Sequence, residues 1–266
     1  MSGQRAAKKR FYAGMGLLAG LYALLIIAML VADLGFTEWG SLVDAVASEP
    51  IQYAIKLSLT TCTLAALLSL FVAIPAGYLL ARAQFRGKWL LDALFDIPIV
   101  LPPLVVGLSL LILFQSALGQ AFEENFFPVT FEIPSVVLAQ FTVAASFAVR
   151  TMKVTFAQLD HRQEDVARTL GCSHGQAFRR VVLPQSRQGI IAAATLAWAR
   201  SLGEFGPILV FSGATRMKTE VLPSTVFLEL SVGNLDAALA VSLLMVLAAL
   251  LVLSLARWLG LRGSHW

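Results

Sequence analysis

The segment Asp160–Pro184, DHRQEDVARTLGCSHGQAFRRVVLP, hereafter the polar segment, is too polar to cross a membrane, although long apolar runs lie on both sides of it. Apolar residues nevertheless recur in it at roughly helical intervals, and they are Val166, Leu170, Ala177, Val181 and Leu183. This spacing predicts a pair of short amphipathic helices that lie along a membrane surface.

Two residues are expected to divide and end the polar segment. Gly171 predicts the end of a first short helix, because glycine readily adopts the left-handed conformation that closes helices. Gln176–Val182 can form a second helix, and Pro184 is then expected to end it and to hold Leu183 in an extended conformation. Two functions remain open for this pattern: a surface loop that anchors the topology in lipid, or a docking element for a cytoplasmic partner.

The composition around this segment indicates an integral membrane protein. The chain has 266 residues, of which 58% are hydrophobic and 14% are charged, whereas a typical soluble domain has roughly 25% charged residues. The same figures exclude a disordered chain, a collagen and a disulfide scaffold. The net charge of +4 is typical of basic cytoplasmic loops and gives no reason to infer nucleic-acid binding.

Six apolar segments are long enough to cross a bilayer, which takes about 20 helical residues. They run from Tyr12 to Val31, Tyr53 to Leu80, Leu94 to Phe114, Ser135 to Thr155, Gly189 to Phe211 and Ala237 to Trp258. The basic start before the first segment is similar to that of a signal peptide, but the apolar run is too long for one, so we expect a retained helix. The predicted fold class is all-α, with six transmembrane helices.

Basic residues indicate the orientation of these segments. They concentrate in the N-terminal tail, the second and fourth connections and the C-terminal end, at Arg5, Lys8, Lys9, Arg10, Arg82, Arg86, Lys88, Lys153, Arg162, Arg168, Arg179, Arg180, Arg187, Arg257 and Arg262. The connections Leu34–Gln52 and Gln115–Pro134 contain no Lys or Arg. By the positive-inside rule, both termini are predicted to lie in the cytoplasm, with the chain in the plasma (inner) membrane.

The polar segment resembles a known motif. Asp165-Val166-Ala167 is followed after three residues by Gly171, and after nine more by Val181-Val182-Leu183-Pro184. This pattern is similar to the EAA loop of type I ABC importer permeases, with Asp165 in place of the usual Glu and Val166 in place of the first Ala. The resemblance favours the docking alternative and implies a coupling helix that docks on a separate ATP-binding subunit. The implied docking residues are Glu164, Asp165, Val166, Ala167, Thr169, Leu170, Gly171, Leu183 and Pro184.

The fifth apolar segment contains polar residues that must be shielded from lipid. Its stretch from Ala199 to Gly206, ARSLGEFG, resembles the ARxLGEFG motif of molybdate, tungstate and sulfate permeases. Arg200 and Glu204 are four positions apart, so they share a helix face and can pair. Two alternatives stay open, an ion pair that fixes helix packing and an element of the pathway or gate. Because a carboxylate is an awkward ligand for an anion, we favour a positioning role for Glu204.

The third apolar segment starts with a proline-rich stretch, DIPIVLPP, at Asp96–Pro103. Prolines remove backbone hydrogen bonds and predict a bend, either a static kink or a point that moves during opening. The stretch is similar to the third-span start of the same oxyanion permeases. The candidate pathway or gate residues are Pro98, Pro102, Pro103, Arg200, Ser201, Gly203, Glu204, Phe205 and Gly206. The outside loop Thr215–Thr225 is either an ordinary loop or a contact for an external binding protein.

Absent motifs exclude several chemistries. The sequence has no G-x-x-x-x-G-K-[ST] and no H-E-x-x-H, so neither ATP binding by a P-loop nor a zinc-protease site is expected. Cys62 and Cys172 are predicted to be unpaired thiols, and no cofactor, catalytic residue or metal site is expected. We therefore interpret the chain as a transporter subunit and not as an enzyme.

The resemblance implies the domain organisation and the partners. Residues 1–50 are expected to form the tail, the first span and an outside loop, and residues 51–260 the permease domain, with 160–184 as its coupling loop. The expected partners are an ATP-binding subunit, an extracytoplasmic solute-binding protein, a second permease copy in a homodimer, and membrane lipid, but no nucleic acid. The implied solute is molybdate or tungstate, then sulfate. The alternatives are iron, thiamine or a polyamine, or else a secondary transporter or channel.

Overall fold

The computed structural model describes residues 2–37 and 39–262 of the chain. These residues are mostly α-helical and contain no β-strand, which confirms the predicted all-α class. The helices in chain order are α1 (Ser2–Phe36), α2 (Trp39–Ala47), α3 (Glu49–Arg82), α4 (Lys88–Val100), α5 (Pro103–Gln115), α6 (Ala117–Asn125), α7 (Ile133–Gln158), α8 (His161–Thr169), α9 (His174–Ala177), α10 (Leu183–Gln185), α11 (Arg187–Leu202), α12 (Gly206–Phe211), α13 (Leu222–Ser231) and α14 (Leu235–Arg262). A π-helical turn, Phe178–Val182, joins α9 to α10.

Two of the six predicted spans are broken helices. In the described part of the chain, four helices are long and apolar enough to cross a membrane, and they are α1, α3, α7 and α14. The predicted span Leu94–Phe114 falls on α4 and α5, which meet at 113° and make a fifth span only if the bent pair counts as one. The predicted span Gly189–Phe211 consists of most of α11 followed by α12. The six-helix count is therefore not confirmed.

Proline and glycine account for both breaks. α4 ends where the Leu101 amide donates to the carbonyl oxygen four residues back (3.0 Å), and Pro102 and Pro103 follow without the N–H groups that would continue the helix. Pro98 lies inside α4. Gly203 forms the C-cap of α11, and α12 begins three residues later. The bend predicted from the prolines is thus confirmed.

Helices α3, α7 and α11 form the centre of the bundle and pack through small side chains. The buried alanines of this core are Ala66, Ala73, Ala144, Ala148, Ala193 and Ala197. A Cβ atom at Gly77 of α3 would lie 2.7 Å from the Cβ atom of Met152 in α7, so the two backbones are in contact there. A Cβ atom at Gly189 of α11 would lie 2.2 Å from a methyl carbon of Thr155 in α7. Such close approach is the usual way in which membrane helices associate.

Candidate functional site

The first helix of the polar segment, α8, ends as the sequence predicts. The side chain of Asp160 caps it by accepting a hydrogen bond from the Arg162 amide (3.0 Å). The helix ends at Thr169, and Gly171 follows with a φ of +92°. No described atom lies within 4 Å of the point where a Cβ atom of Gly171 would be. The left-handed conformation, rather than close packing, therefore requires glycine at this position.

The second half of the polar segment is a helix that continues past Pro184. A capping box starts it, in which the Gln176 amide donates to Ser173 Oγ (3.3 Å) and the Ser173 amide donates to Gln176 Oε1 (2.9 Å). Leu183 has helical dihedral angles, with φ of −63° and ψ of −45°. The predictions of an extended Leu183 and of a helix end at Pro184 are wrong. In the π-helical turn, the Leu183 amide donates to the carbonyl oxygen of Phe178 five residues back, and this wider turn accommodates the proline ring.

One side of α8 is held against the C-terminal end of α3. Glu164 is only 7% exposed, and its Oε1 accepts a hydrogen bond from the hydroxyl group of Tyr78. One turn further along α3, Nη2 of Arg82 donates to the carbonyl oxygen of Leu159 (2.9 Å). Glu164, one of the predicted docking residues, therefore faces the chain's own helices.

Another side of α8, together with the residue that caps its C-terminus, carries exposed apolar side chains. Val166 is 56% exposed and Leu170 is 81% exposed, one helical turn apart, and we call these two residues the α8 patch. Asp165 and Thr169 are exposed beside it, and the Asp165 carboxylate lies 3.8 Å from a guanidinium nitrogen of Arg168. The other predicted docking residues are half-buried or exposed, and they are Ala167, Leu183, Gly171 and Pro184. The polar segment thus has one face fixed to the bundle and one face open.

The breaks in the predicted third and fifth spans lie against each other. A Cβ atom at Gly107 of α5 would be 2.6 Å from Cα of Pro207 in α12. A Cβ atom at Gly206 of α12 would be 2.9 Å from Cβ of Pro103 in α5. The two helices therefore cross in backbone contact. This crossing brings together two of the candidate pathway residues, Pro103 and Gly206.

The predicted pair in the fifth segment is present. Nη1 of Arg200 lies 2.7 Å from Oε2 of Glu204, which is 1% exposed. The guanidinium group of Arg200 is partly exposed and lies 5.7 Å from the ring centre of Phe147 in α7. Ser201 is buried, and the ring of Phe205 packs 5.1 Å from that of Phe227. The buried carboxylate therefore holds a guanidinium group that remains partly accessible.

Two further ion pairs, which the sequence did not reveal, join α4 to α7. Both carboxylate oxygens of Asp92 lie 2.6 Å from Nζ of Lys153. One turn along α4, a carboxylate oxygen of Asp96 lies 3.6 Å from Nη1 of Arg150. A cavity of about 250 Å³ is lined by these four charged residues together with apolar side chains of α4 and α7. The partners are more than 50 positions apart in the sequence, so no local spacing could have indicated the pairing.

The loop before α13 is also held in place by ion pairs. Arg216 pairs with both Glu220 and Glu229, and Lys218 pairs with Glu132. Glu220 is buried, and this burial raises the pKa of its carboxyl group. The loop is therefore a folded surface, although the prediction that it contacts a binding protein is not tested by this geometry.

The described residues offer no metal site. No group of three or more His, Cys, Asp or Glu side chains that could hold a metal ion occurs among them. Cys62 is buried, Cys172 is half-buried, and both are free thiols, as predicted.

Comparison with known proteins gives consistent matches. Residues 73–263 match the family model of the binding-protein-dependent transport system inner membrane component. The chain is 33% identical to the sulfate transport system permease protein CysT of Salmonella typhimurium over 235 residues, which cover 88% of this chain and 85% of that protein. It is 37% identical to a probable molybdenum ABC transporter permease protein of Haloferax volcanii over 231 residues (86% and 83%). It is 34% identical to the molybdenum transport system permease protein ModB of Mycobacterium bovis over 238 residues (88% and 90%).

Solved structures agree on the fold. A chain in the crystal structure of a bacterial alginate ABC transporter, in complex with an alginate pentasaccharide-bound periplasmic protein, has a TM-score of 0.76 at 18% identity. That match covers 97% of this chain and 96% of the other. A chain of the MetNI methionine ABC transporter in an inward-facing conformation has a TM-score of 0.66 at 16% identity, covering 82% of this chain and 100% of the other. The family match covers more than half of the chain, and the chain therefore belongs to the binding-protein-dependent transport system inner membrane components.

Proposed function

We propose that the chain is the membrane-spanning permease subunit of an ATP-driven importer for an oxyanion. The family and the names of the sulfate and molybdenum permeases at 33–37% identity support the solute class. Molybdate or tungstate is our first candidate and sulfate the second. A permease for iron, thiamine or a polyamine is the alternative, and a secondary transporter or channel is a weaker one.

The α8 patch supports the proposed coupling role more directly than any other feature. Val166 and Leu170 expose apolar side chains on a polar cytoplasmic helix, where an unpartnered surface would favour charge. At the same time, α8 is anchored to α3 through Glu164. A helix that is fixed on one side and apolar on the other is suited to fit a groove on an ATP-binding subunit and to pass its movement to the spans.

The proposed pathway runs beside the crossing of α5 and α12. The candidate pathway or gate residues are Pro98, Pro102, Pro103, Arg200, Ser201, Gly203, Glu204, Phe205 and Gly206. Because Glu204 is buried and Arg200 is partly exposed, the guanidinium group is the member of the pair that can attract a passing anion. The carboxylate then keeps that group in position. The breaks before α5 and α12 can act as hinges, and the two helices are in backbone contact, so a movement of one would shift the other. This crossing is therefore suited to act as a gate.

The remaining partners are proposed from the resemblance to the family. ATP hydrolysis is assigned to a separate subunit, solute delivery to an extracytoplasmic binding protein, and the second half of the pathway to another permease copy in a homodimer. Both termini are assigned to the cytoplasm, with residues 51–260 as the permease domain. The folded outside loop before α13 is the proposed contact for the binding protein.

Co-purification with an ATP-binding subunit tests the proposal. Val166→Glu combined with Leu170→Glu is expected to weaken the complex by roughly 1000-fold, because two apolar contacts at the centre of an interface, at about 2 kcal/mol each, are lost together. The matched control is His161→Glu, which adds a charge to an exposed position on a different side of the same helix. A patch variant that binds the subunit as tightly as the control would contradict the docking assignment.

A further inference from the structure

Tyr78 lies where four parts of the chain meet at the cytoplasmic end of the bundle. Its ring packs edge-on against Phe156 of α7, with ring centres 5.6 Å apart, and against Phe178 of the π-helical turn at 4.7 Å. Its hydroxyl group donates a hydrogen bond to Glu164 of α8. One side chain of α3 therefore contacts a transmembrane helix and both halves of the polar segment.

The contact with Glu164 is the polar link between α3 and α8. The carboxylate of Glu164 is almost fully buried, and its second oxygen, Oε2, has no hydrogen-bond partner among the described residues. A buried carboxylate with a single hydrogen bond is costly to separate from that bond. Breaking the link would leave the carboxylate without its partner, so α8 is held in one position relative to Tyr78.

The backbone that carries Tyr78 is itself fixed. At the adjacent residue, Gly77, a Cβ atom would lie 2.7 Å from Cβ of Met152 and 2.8 Å from the amide nitrogen of Lys153, so α3 and α7 touch there. Helix α8, by contrast, packs mainly on α9 and the π-helical turn. Tyr78 therefore connects a rigid pair of spans to a small surface helix.

We propose that Tyr78 is a positioning residue that transmits movement of α8 to α3, through its hydroxyl bond to Glu164 and its ring contact with Phe178. This inference rests on the proposed docking of α8 on an ATP-binding subunit. A purely structural role would lower the amount of complex, the ATP hydrolysis and the uptake together. A transmitting role separates them, because the ATP-binding subunits continue to turn over while the spans no longer follow.

Purified complexes in proteoliposomes test this, with ATP hydrolysis and uptake of radiolabelled molybdate measured on the same vesicles. Tyr78→Phe removes the hydroxyl group and keeps the ring, and Glu164→Leu removes the acceptor from the other side. Each is expected to lower molybdate uptake per ATP roughly tenfold, the size expected for loss of a hydrogen bond to a charged group. The double variant is expected to lose no more than either single variant.

The matched control is Ser69→Ala, which removes another hydrogen-bonded hydroxyl group from the same helix, one that donates to the carbonyl oxygen of Ala65 (2.7 Å). It is expected to leave uptake per ATP unchanged. Glu164→Gln keeps an acceptor oxygen and is expected to retain most of the wild-type ratio. If the Tyr78→Phe chain does not assemble with the ATP-binding subunit, the uptake per ATP of Glu164→Leu and Glu164→Gln tests the transmitting role instead.

The outcomes separate the two proposals. An intact complex of Tyr78→Phe or Glu164→Leu with the wild-type uptake per ATP would overturn the transmitting role and leave the proposed function standing. A wild-type chain that neither binds an ATP-binding subunit nor supports ATP-dependent uptake would contradict the proposed function itself.

Discussion

Gly206→Ala tests whether the crossing of α5 and α12 is as tight as the structure indicates. The added methyl carbon would lie 2.9 Å from Cβ of Pro103 and 3.1 Å from the amide nitrogen of Leu104. Ordinary contacts between carbon atoms are about 3.5–4.0 Å, and the opposing atoms belong to a proline ring and a backbone, neither of which can rotate away. Overpacking of this kind costs about 1–3 kcal/mol. We expect that loss in the free energy of unfolding, together with reduced transport.

The matched control is Gly203→Ala in the same motif. A Cβ atom at Gly203 would meet nothing closer than the carbonyl oxygen of Ala199 at 3.9 Å, and its φ of −84° suits any residue. This variant is expected to stay within about 0.5 kcal/mol of wild type. Unfolding in mixed micelles with increasing SDS would give both free energies. Equal stability of Gly206→Ala and Gly203→Ala would refute the close crossing.

Three other predictions test separate features of the structure. Asp92→Lys is expected to destabilise the packing of α4 on α7, measured in the same unfolding assay. Adding Lys153→Asp exchanges the two charges and is expected to recover most of the lost stability. A double variant that is no more stable than Asp92→Lys alone would contradict the pairing. Gly171→Ala is expected to lower the free energy of unfolding by about 1–2 kcal/mol because Gly171 has a positive φ. Gly175→Ala, which also faces open space, is the control and should be neutral or stabilising. A thermal unfolding experiment in which Gly171→Ala is as stable as Gly175→Ala would contradict this. Because burial raises the pKa of Glu220 in the folded chain, its contribution to stability is present below the ordinary carboxyl pKa and is lost as the pH rises through the raised value. Glu220→Gln should flatten the dependence of stability on pH, and an unchanged slope of stability against pH would contradict the raised pKa of Glu220.

Local signals in the sequence were enough for much of the fold and part of the site. The spans of α3, α7 and α14 follow from apolar runs of sufficient length, and the end of α8 follows from Gly171. The pairing of Arg200 with Glu204 follows from their spacing on one helix. Each of these features depends on residues that are consecutive or only a few positions apart in the sequence.

Features that depend on distant residues could not be predicted in this way. The hydrogen bond from Tyr78 to Glu164 joins positions 86 apart, and the bond from Lys153 to Asp92 joins positions 61 apart. The continuation of the helix through Pro184 depends on a π-helical turn. The general tendency of a residue before proline to avoid the helical conformation does not predict such a turn.

Uptake by reconstituted vesicles tests the central claim most directly. Proteoliposomes that contain the permease chain, an ATP-binding subunit and internal ATP are expected to accumulate molybdate against its gradient when the binding protein is present outside. The chain reconstituted alone is expected to accumulate none, because the sequence has no P-loop to bind ATP. Uphill accumulation by the chain alone would contradict the account.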